Sequence, residues 1–175
     1  MTRAEKTKII ESLSQQLNAA SNFYLTDIAD LTVERTSELR RLCFRKEVQL
    51  KVVKNTLLHK AMERSNKDLK GLYETLNGST SIMFTETGNV PAKLIQEYRK
   101  KFKSEKPILK GAYVAESTYV GEDQLEVLAT IKTKNEVIGE IIGILQSPAK
   151  NVIGALQSGG QKLSGILKTL SEKEA

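Results

Sequence analysis

The sequence predicts an α/β domain of two layers, a four-stranded sheet packed with helices, followed by a C-terminal α-helical tail. Three observations carry this reading. Helical and strand-like periodicities alternate up to about residue 116. Hydrophobic residues make up 39% of the chain and charged residues 27%, enough for one sizeable core. After Gly121 no strand pattern recurs and only helical spacing continues. The order of the strands stays open between an all-parallel and a mixed sheet.

Residues 6–18 place Ile9, Ile10, Leu13 and Leu17 at helical spacing, giving an amphipathic first helix. Residues 23–28 form a short β-type run after an Asn/Ser break. Thr32 is placed to cap a helix with Thr36, Leu39, Leu42 and Cys43 on one side and Glu38, Arg41 and Arg45 on the other. In residues 48–53 strict alternation sends Val48, Leu50 and Val52 one way and Gln49, Lys51 and Val53 the other. Asn55 or Thr56 then caps a helix with Leu57, Leu58, Ala61 and Met62 inside. Gly78 breaks the chain before a β-rich run at 81–85, and Pro91 opens a helix carrying Leu94, Ile95, Tyr98 and Phe102. The fourth strand spans 108–114, after Pro107.

Two helices follow, at 123–130 and 135–145, and Ser147-Pro148 reads as a break or hinge, because the residue before proline avoids the helical region. This sets the expected boundary between a domain of residues 1–146 and a tail of 147–175. In the tail Leu156, Leu163 and Leu170 recur every seven residues, and Val152, Ile153, Ile166 and Leu167 widen the stripe. An apolar stripe on a surface helix marks a protein-interaction site, the alternative being a tail that folds back on its own domain. A membrane-surface role fits less well, since residues 148–175 hold four Lys and no aromatic residue.

The net charge of +6 is unevenly spread. Residues 35–60 net +6 and residues 93–110 net +5, while the remainder sums to −5. Two basic blocks are the footprint of a polyanion partner or of two solvated helix faces, and charge alone does not choose. Within the first block a strand ends, Lys54 follows, and a helix opens. A helix N-terminus presents unpaired N–H groups that favour phosphate. Lys54 stands beside that end, with Lys51 and Lys60 close by and Asn55 able to bond a base or ribose.

A single cysteine excludes an internal disulfide, and with His59 the only histidine a metal site has too few soft ligands. No cofactor and no small-molecule substrate is expected. No secretory or membrane-spanning pattern is present, so a cytoplasmic protein is the expectation. No phosphate-loop signature follows any strand, and Asp27 and Asp30 lack the pocket that a carboxylate pair needs for catalysis. The expectation is therefore a protein with no catalytic residues.

Leu31-Thr32-Val33-Glu34, Glu38-Leu39-Arg40, Val52-Val53-Lys54-Asn55-Thr56-Leu57-Leu58, Gly78-Ser79-Thr80-Ser81-Ile82 and Leu145-Gln146-Ser147-Pro148 occur in this order. In these segments the chain resembles the bacterial large-subunit ribosomal protein number ten, the base of the lateral stalk. Ser79 stands where that family usually has proline. The resemblance implies a cytoplasmic ribosomal scaffold that binds large-subunit rRNA beside a neighbouring stalk-base protein. Its terminal helix would hold dimers of the acidic stalk protein, which recruit translational GTPases. Lys54, Asn55 and Thr56 match the family's motif and Arg40 its basic helix position. With Lys51 and Lys60 they form the expected rRNA-binding set. The broader alternative is another basic nucleic-acid-binding protein with a helical interaction tail.

Overall fold

The computed structural model describes residues 2–173 of the chain. It divides into two compact units, Met1–Ile131 and Lys132–Ala175. The first unit runs α1 (Arg3–Ala19), β1 (Asn22–Asp27), α2 (Val33–Arg45), β2 (Gln49–Val52), α3 (Asn55–Glu63), a 3-10 segment (Lys70–Thr75), β3 (Ser81–Thr85), α4 (Val90–Phe102), β4 (Ile108–Val114), β5 (Ser117–Val120) and α5 (Gln124–Thr130). The second unit holds α6 (Lys134–Lys173).

The five strands form one sheet in the order β2-β3-β1-β4-β5, and every neighbouring pair is antiparallel. The expectation of four strands in a parallel or mixed sheet is corrected on both counts. Alternating helices and strands suggested parallel crossovers because β1-α2-β2 and β3-α4-β4 do return the chain in the same direction. Each crossover skips one position, and the vacant position is filled by an antiparallel strand from the other unit of the pair. These are two interlocked split β-α-β units. The fifth strand escaped notice because Ser117–Val120 is mostly exposed and carries no alternating apolar pattern. Its turn also lacks glycine: Ala115 and Glu116 take φ of 49° and 64°, the left-handed pair that a two-residue hairpin requires.

Helices cover both faces of the sheet, so the domain has three layers rather than two. Alternation along β1 is the cause. Phe23 and Leu25 join Ile10, Leu13, Leu17, Leu58, Met62 and Leu72 in one core, beneath α1, α3 and the 3-10 segment. Tyr24 joins Leu39, Cys43, Met83, Ile95, Tyr98 and Leu128 in the other, beneath α2, α4 and α5. Thr26, central in the sheet, is fully buried and shares a 2.9 Å hydroxyl contact with Ser81 across the β1–β3 pair.

A bulge interrupts the β1–β4 ladder between Leu25, opposite Gly111, and Thr26, opposite Leu109. Lys110 is the extra residue. Bulges re-aim side chains, and this one sends the Lys110 ammonium to the carbonyls of Asn77 and Ser79 and to within 3.8 Å of Asp27.

In the second unit Thr133 and Glu136 open α6 as a reciprocal cap: the Glu136 carboxylate accepts from the Thr133 N–H at 2.7 Å, and the Thr133 hydroxyl accepts from the Glu136 N–H at 3.2 Å. The helix then runs 40 residues with Pro148 inside it. The expected break at Ser147-Pro148 is therefore absent. Proline forfeits its own N–H bond to the carbonyl one turn back, yet the helix continues on both sides. Because it does, the apolar residues before and after Pro148 share one helix. Val137, Ile138, Ile141, Ile142 and Leu145 precede it, and Val152, Ile153, Leu156, Ile166, Leu167 and Leu170 follow, all exposed. The side chain of Leu163 lies outside the described residues.

Candidate nucleic-acid interface

The strand-to-helix turn is built as expected, with one change of role. After β2, the Val53 N–H donates to the Thr80 carbonyl, and the chain turns at Lys54. Lys54, extended at φ −69° and ψ 132°, is the N-cap of α3, and its carbonyl accepts from Leu57 and Leu58 at 3.0 Å each. No side chain caps the helix. The expectation that Asn55 or Thr56 would do so is corrected: both lie within the first turn. Asn55 instead donates its amide to the carbonyls of Leu76 at 2.8 Å and Gly78 at 2.7 Å. Two loop carbonyls thus occupy the amide N–H groups that a base or ribose would have used.

Lys54, Thr56 and Lys60 are exposed. Lys51 is half-buried, donates to Gln16 Oε1 at 2.7 Å, and lies 6.0 Å from the centroid of the Phe84 ring. Around the free edge of β2 a groove of about 660 Å³ is lined by Lys8, Ser12, Gln16, Arg40, Lys51 and Lys54 together with apolar residues of α1, β2 and α3. Four cations from α1, α2, β2 and the α3 cap thus face one groove with no carboxylate in its lining. Sequence reasoning brought Arg40, Lys51 and Lys54 to this place and missed Lys8. Only the position of Lys8 beside Ile9 on the first helix could have suggested it.

Each basic block spends part of its charge within the fold. In the second block Arg99 pairs with Glu122 at 2.5 Å and donates to the Pro107 carbonyl, Lys106 pairs with Asp30, and Lys110 is held by the loop carbonyls near Gly78. In the first block Lys46 pairs with Glu97, but Arg40, Arg41, Arg45, Lys54 and Lys60 form no ion pair among the described residues. Lys93, Lys100, Lys101 and Lys103 of the second block are likewise exposed and in no ion pair among the described residues, so what sets the first block apart is that Arg40, Lys51 and Lys54 converge on one groove.

The remaining chemistry-bearing side chains are structural. His59 packs against Tyr73 with the rings tilted by 34° and centroids 4.7 Å apart, and meets Glu63 at 3.3 Å. Burial on the inner face of α2 pushes the Cys43 thiol up to about 11. Asp27 and Asp30 serve as partners of Lys110 and Lys106. Among the described residues no three His, Cys, Asp or Glu side chains gather into a metal-binding group, and no helix is long and apolar enough to cross a membrane.

A family model described as Ribosomal protein L10 matches residues 1–108, the stretch that holds the groove, the Lys54 turn and β1 to α4. The chain belongs to this family. It is similar to the large ribosomal subunit protein uL10 of Christiangramia forsetii, 60% identical over 174 residues covering 99% of each chain. The corresponding protein of Flavobacterium johnsoniae is 51% identical over 158 residues, 90% of this chain and 93% of that one. That of Amoebophilus asiaticus is 44% identical over 179 residues, 99% of each. As a member of the L10 family the chain is a structural protein of the large ribosomal subunit, part of the translation machinery, and not an enzyme.

Proposed function

We propose that the first unit binds large-subunit rRNA at the stalk base, next to a neighbouring ribosomal protein, and that α6 anchors dimers of the acidic stalk protein. The observation that carries the rRNA half is the acid-free groove, where Arg40, Lys51 and Lys54 converge from three elements. Arg40 and Lys54 are exposed and in no ion pair among the described residues, so they are available to phosphates, and neutralised phosphates release counterions. Thr56 and Lys60 extend the contact along the exposed side of α3. Asn55 contributes by fixing the Leu76–Gly78 loop beside the Lys54 turn. For the tail, the support is the exposed stripe of Val152, Ile153, Leu156, Ile166, Leu167 and Leu170, to which Leu163 belongs by spacing. Burial of that stripe drives the docking.

One experiment tests both halves. The full chain is titrated with protein-free large-subunit rRNA over a salt series, and the intact complex with the acidic stalk protein is weighed. Steeply salt-dependent rRNA affinity and a complex mass holding several acidic dimers are expected. Alanine at Leu156, Leu163 and Leu170 should abolish the dimers and spare the rRNA. An acidic partner retained by that triple variant would refute the tail assignment.

A further inference from the structure

Of the chain's nine Phe and Tyr side chains, eight are buried or half-buried, and Phe44 alone is open to solvent, at 86% exposure. Its position on α2 explains this. Leu39 and Cys43 turn into the core, whereas Val33, Ser37, Arg40 and Phe44 recur at intervals of four, three and four residues along the outer side. Arg40 and Arg41 lie one turn before Phe44 and are therefore its neighbours on the helix surface. Both are exposed, as is Arg45, and none of the three forms an ion pair among the described residues. Arg40 also lines the groove at the β2 edge. An aromatic ring is thus displayed within an unspent cationic field that continues into the groove.

An exposed phenylalanine adds nothing to solubility and nothing to phosphate binding. Its use in such a field is a flat, apolar and unscreened partner attached to negative charge. A nucleobase has this chemistry, since every base offers a π face on a phosphate chain. Paired bases in an A-form helix hide those faces, and proteins reach them where a loop or bulge lets a base splay out. We propose that Phe44 stacks on an unpaired nucleobase of the large-subunit rRNA while Arg40 and Arg41 hold the phosphates on either side of that nucleotide. The proposal rests on the reading that the first unit binds rRNA. It adds that the outer face of α2 recognises a looped or bulged nucleotide and not duplex backbone alone.

The test uses the full chain and protein-free large-subunit rRNA, with wild type, Phe44→Ala, Phe44→Tyr and Arg40→Ala measured over a salt series. Phe44→Ala should weaken binding by roughly 10-fold and leave the salt slope unchanged, because no phosphate contact is lost. Phe44→Tyr, which keeps the ring, should restore affinity. Arg40→Ala should lower the slope. Thermal unfolding of Phe44→Ala should match wild type, the side chain being outside the core. If Phe44→Ala binds as tightly as wild type, the ring serves a protein partner and the stacking proposal fails while the rRNA reading stands. A lowered slope in Phe44→Ala would also overturn stacking. Absence of tight, salt-dependent binding by wild type would sink the underlying reading itself.

Discussion

Asn55 donates its side-chain amide to the carbonyl of Gly78 across 2.7 Å, joining the first turn of α3 to the loop that precedes β3. The Lys54-Asn55-Thr56 turn and the glycine break at 78 are therefore one structural unit. Gly78 itself sits at φ 68°, where a side chain would be strained. Asn55→Ala removes this bond and its companion to Leu76, leaving two carbonyls without their donor. The expected cost is about 1–2 kcal/mol, read as a lower urea midpoint. Unchanged stability would show that the loop holds itself.

Lys54→Ala and Lys106→Ala each remove one positive charge, yet they should differ. Lys54 is exposed and outside any ion pair, so its loss should reduce the magnitude of the logarithmic salt slope of rRNA binding by about 0.9. Lys106 already pairs with Asp30, which raises its ammonium above the ordinary lysine range, and its removal should leave the slope unchanged. Equal effects would mean that net charge, not the groove, sets rRNA affinity.

Gly111→Ala should destabilise the first unit. A Cβ there would stand 2.6 Å from Leu72 Cδ2 and 3.1 Å from the Tyr119 carbonyl, at the point where the 3-10 segment lies on β4. Overpacking of this kind costs roughly 1–3 kcal/mol, measurable by thermal unfolding.

Alkaline pH should weaken the fold through Cys43. Burial raises this thiol from about 9 to about 11 in the folded chain, so the folded state favours the neutral form. Its contribution is fully present below pH 9 and is lost as pH rises from there through 11. Urea midpoints of wild type and Cys43→Ala should therefore converge over that window. Parallel curves would show that the thiol does not titrate with unfolding.

Pro148→Ala should restore one backbone bond inside α6 and relieve a clash with the turn before it, an effect of up to about 3 kcal/mol. The helical circular-dichroism signal of the full chain should then persist to higher temperature.

Much of this architecture was legible in the residues, and what was not has physical reasons. Helical and strand periods located α1 to α5 and β1 to β4, because apolar spacing is what builds the two cores. Strand direction was hidden, since α2 and α4 each bridge strands that are not neighbours and period carries no information about what lies between them. Strand β5 was hidden by its Ser/Thr-rich exposed edge, and continuity of α6 by Pro148, whose local preference is overridden along a 40-residue helix. At the groove, Arg40, Lys51 and Lys54 could be chosen by charge and position. That Asn55 turns toward Leu76 and Gly78 could not, because the loop that receives its amide lies more than twenty residues downstream.

The strand order also governs how this chain acquires its shape during synthesis. Strand β1 sits at the centre of the sheet, yet its partners β3 and β4 are encoded some 60 and 90 residues later, as in Phe23 opposite Phe84 and opposite Tyr113. A nascent chain that has released only α1, β1 and α2 leaves Phe23, Tyr24 and Leu25 without strands to pair with. Long-range pairing of this kind folds slowly and exposes sticky surface while it waits. The growing chain must therefore carry its central strand unpaired until residue 85 has emerged.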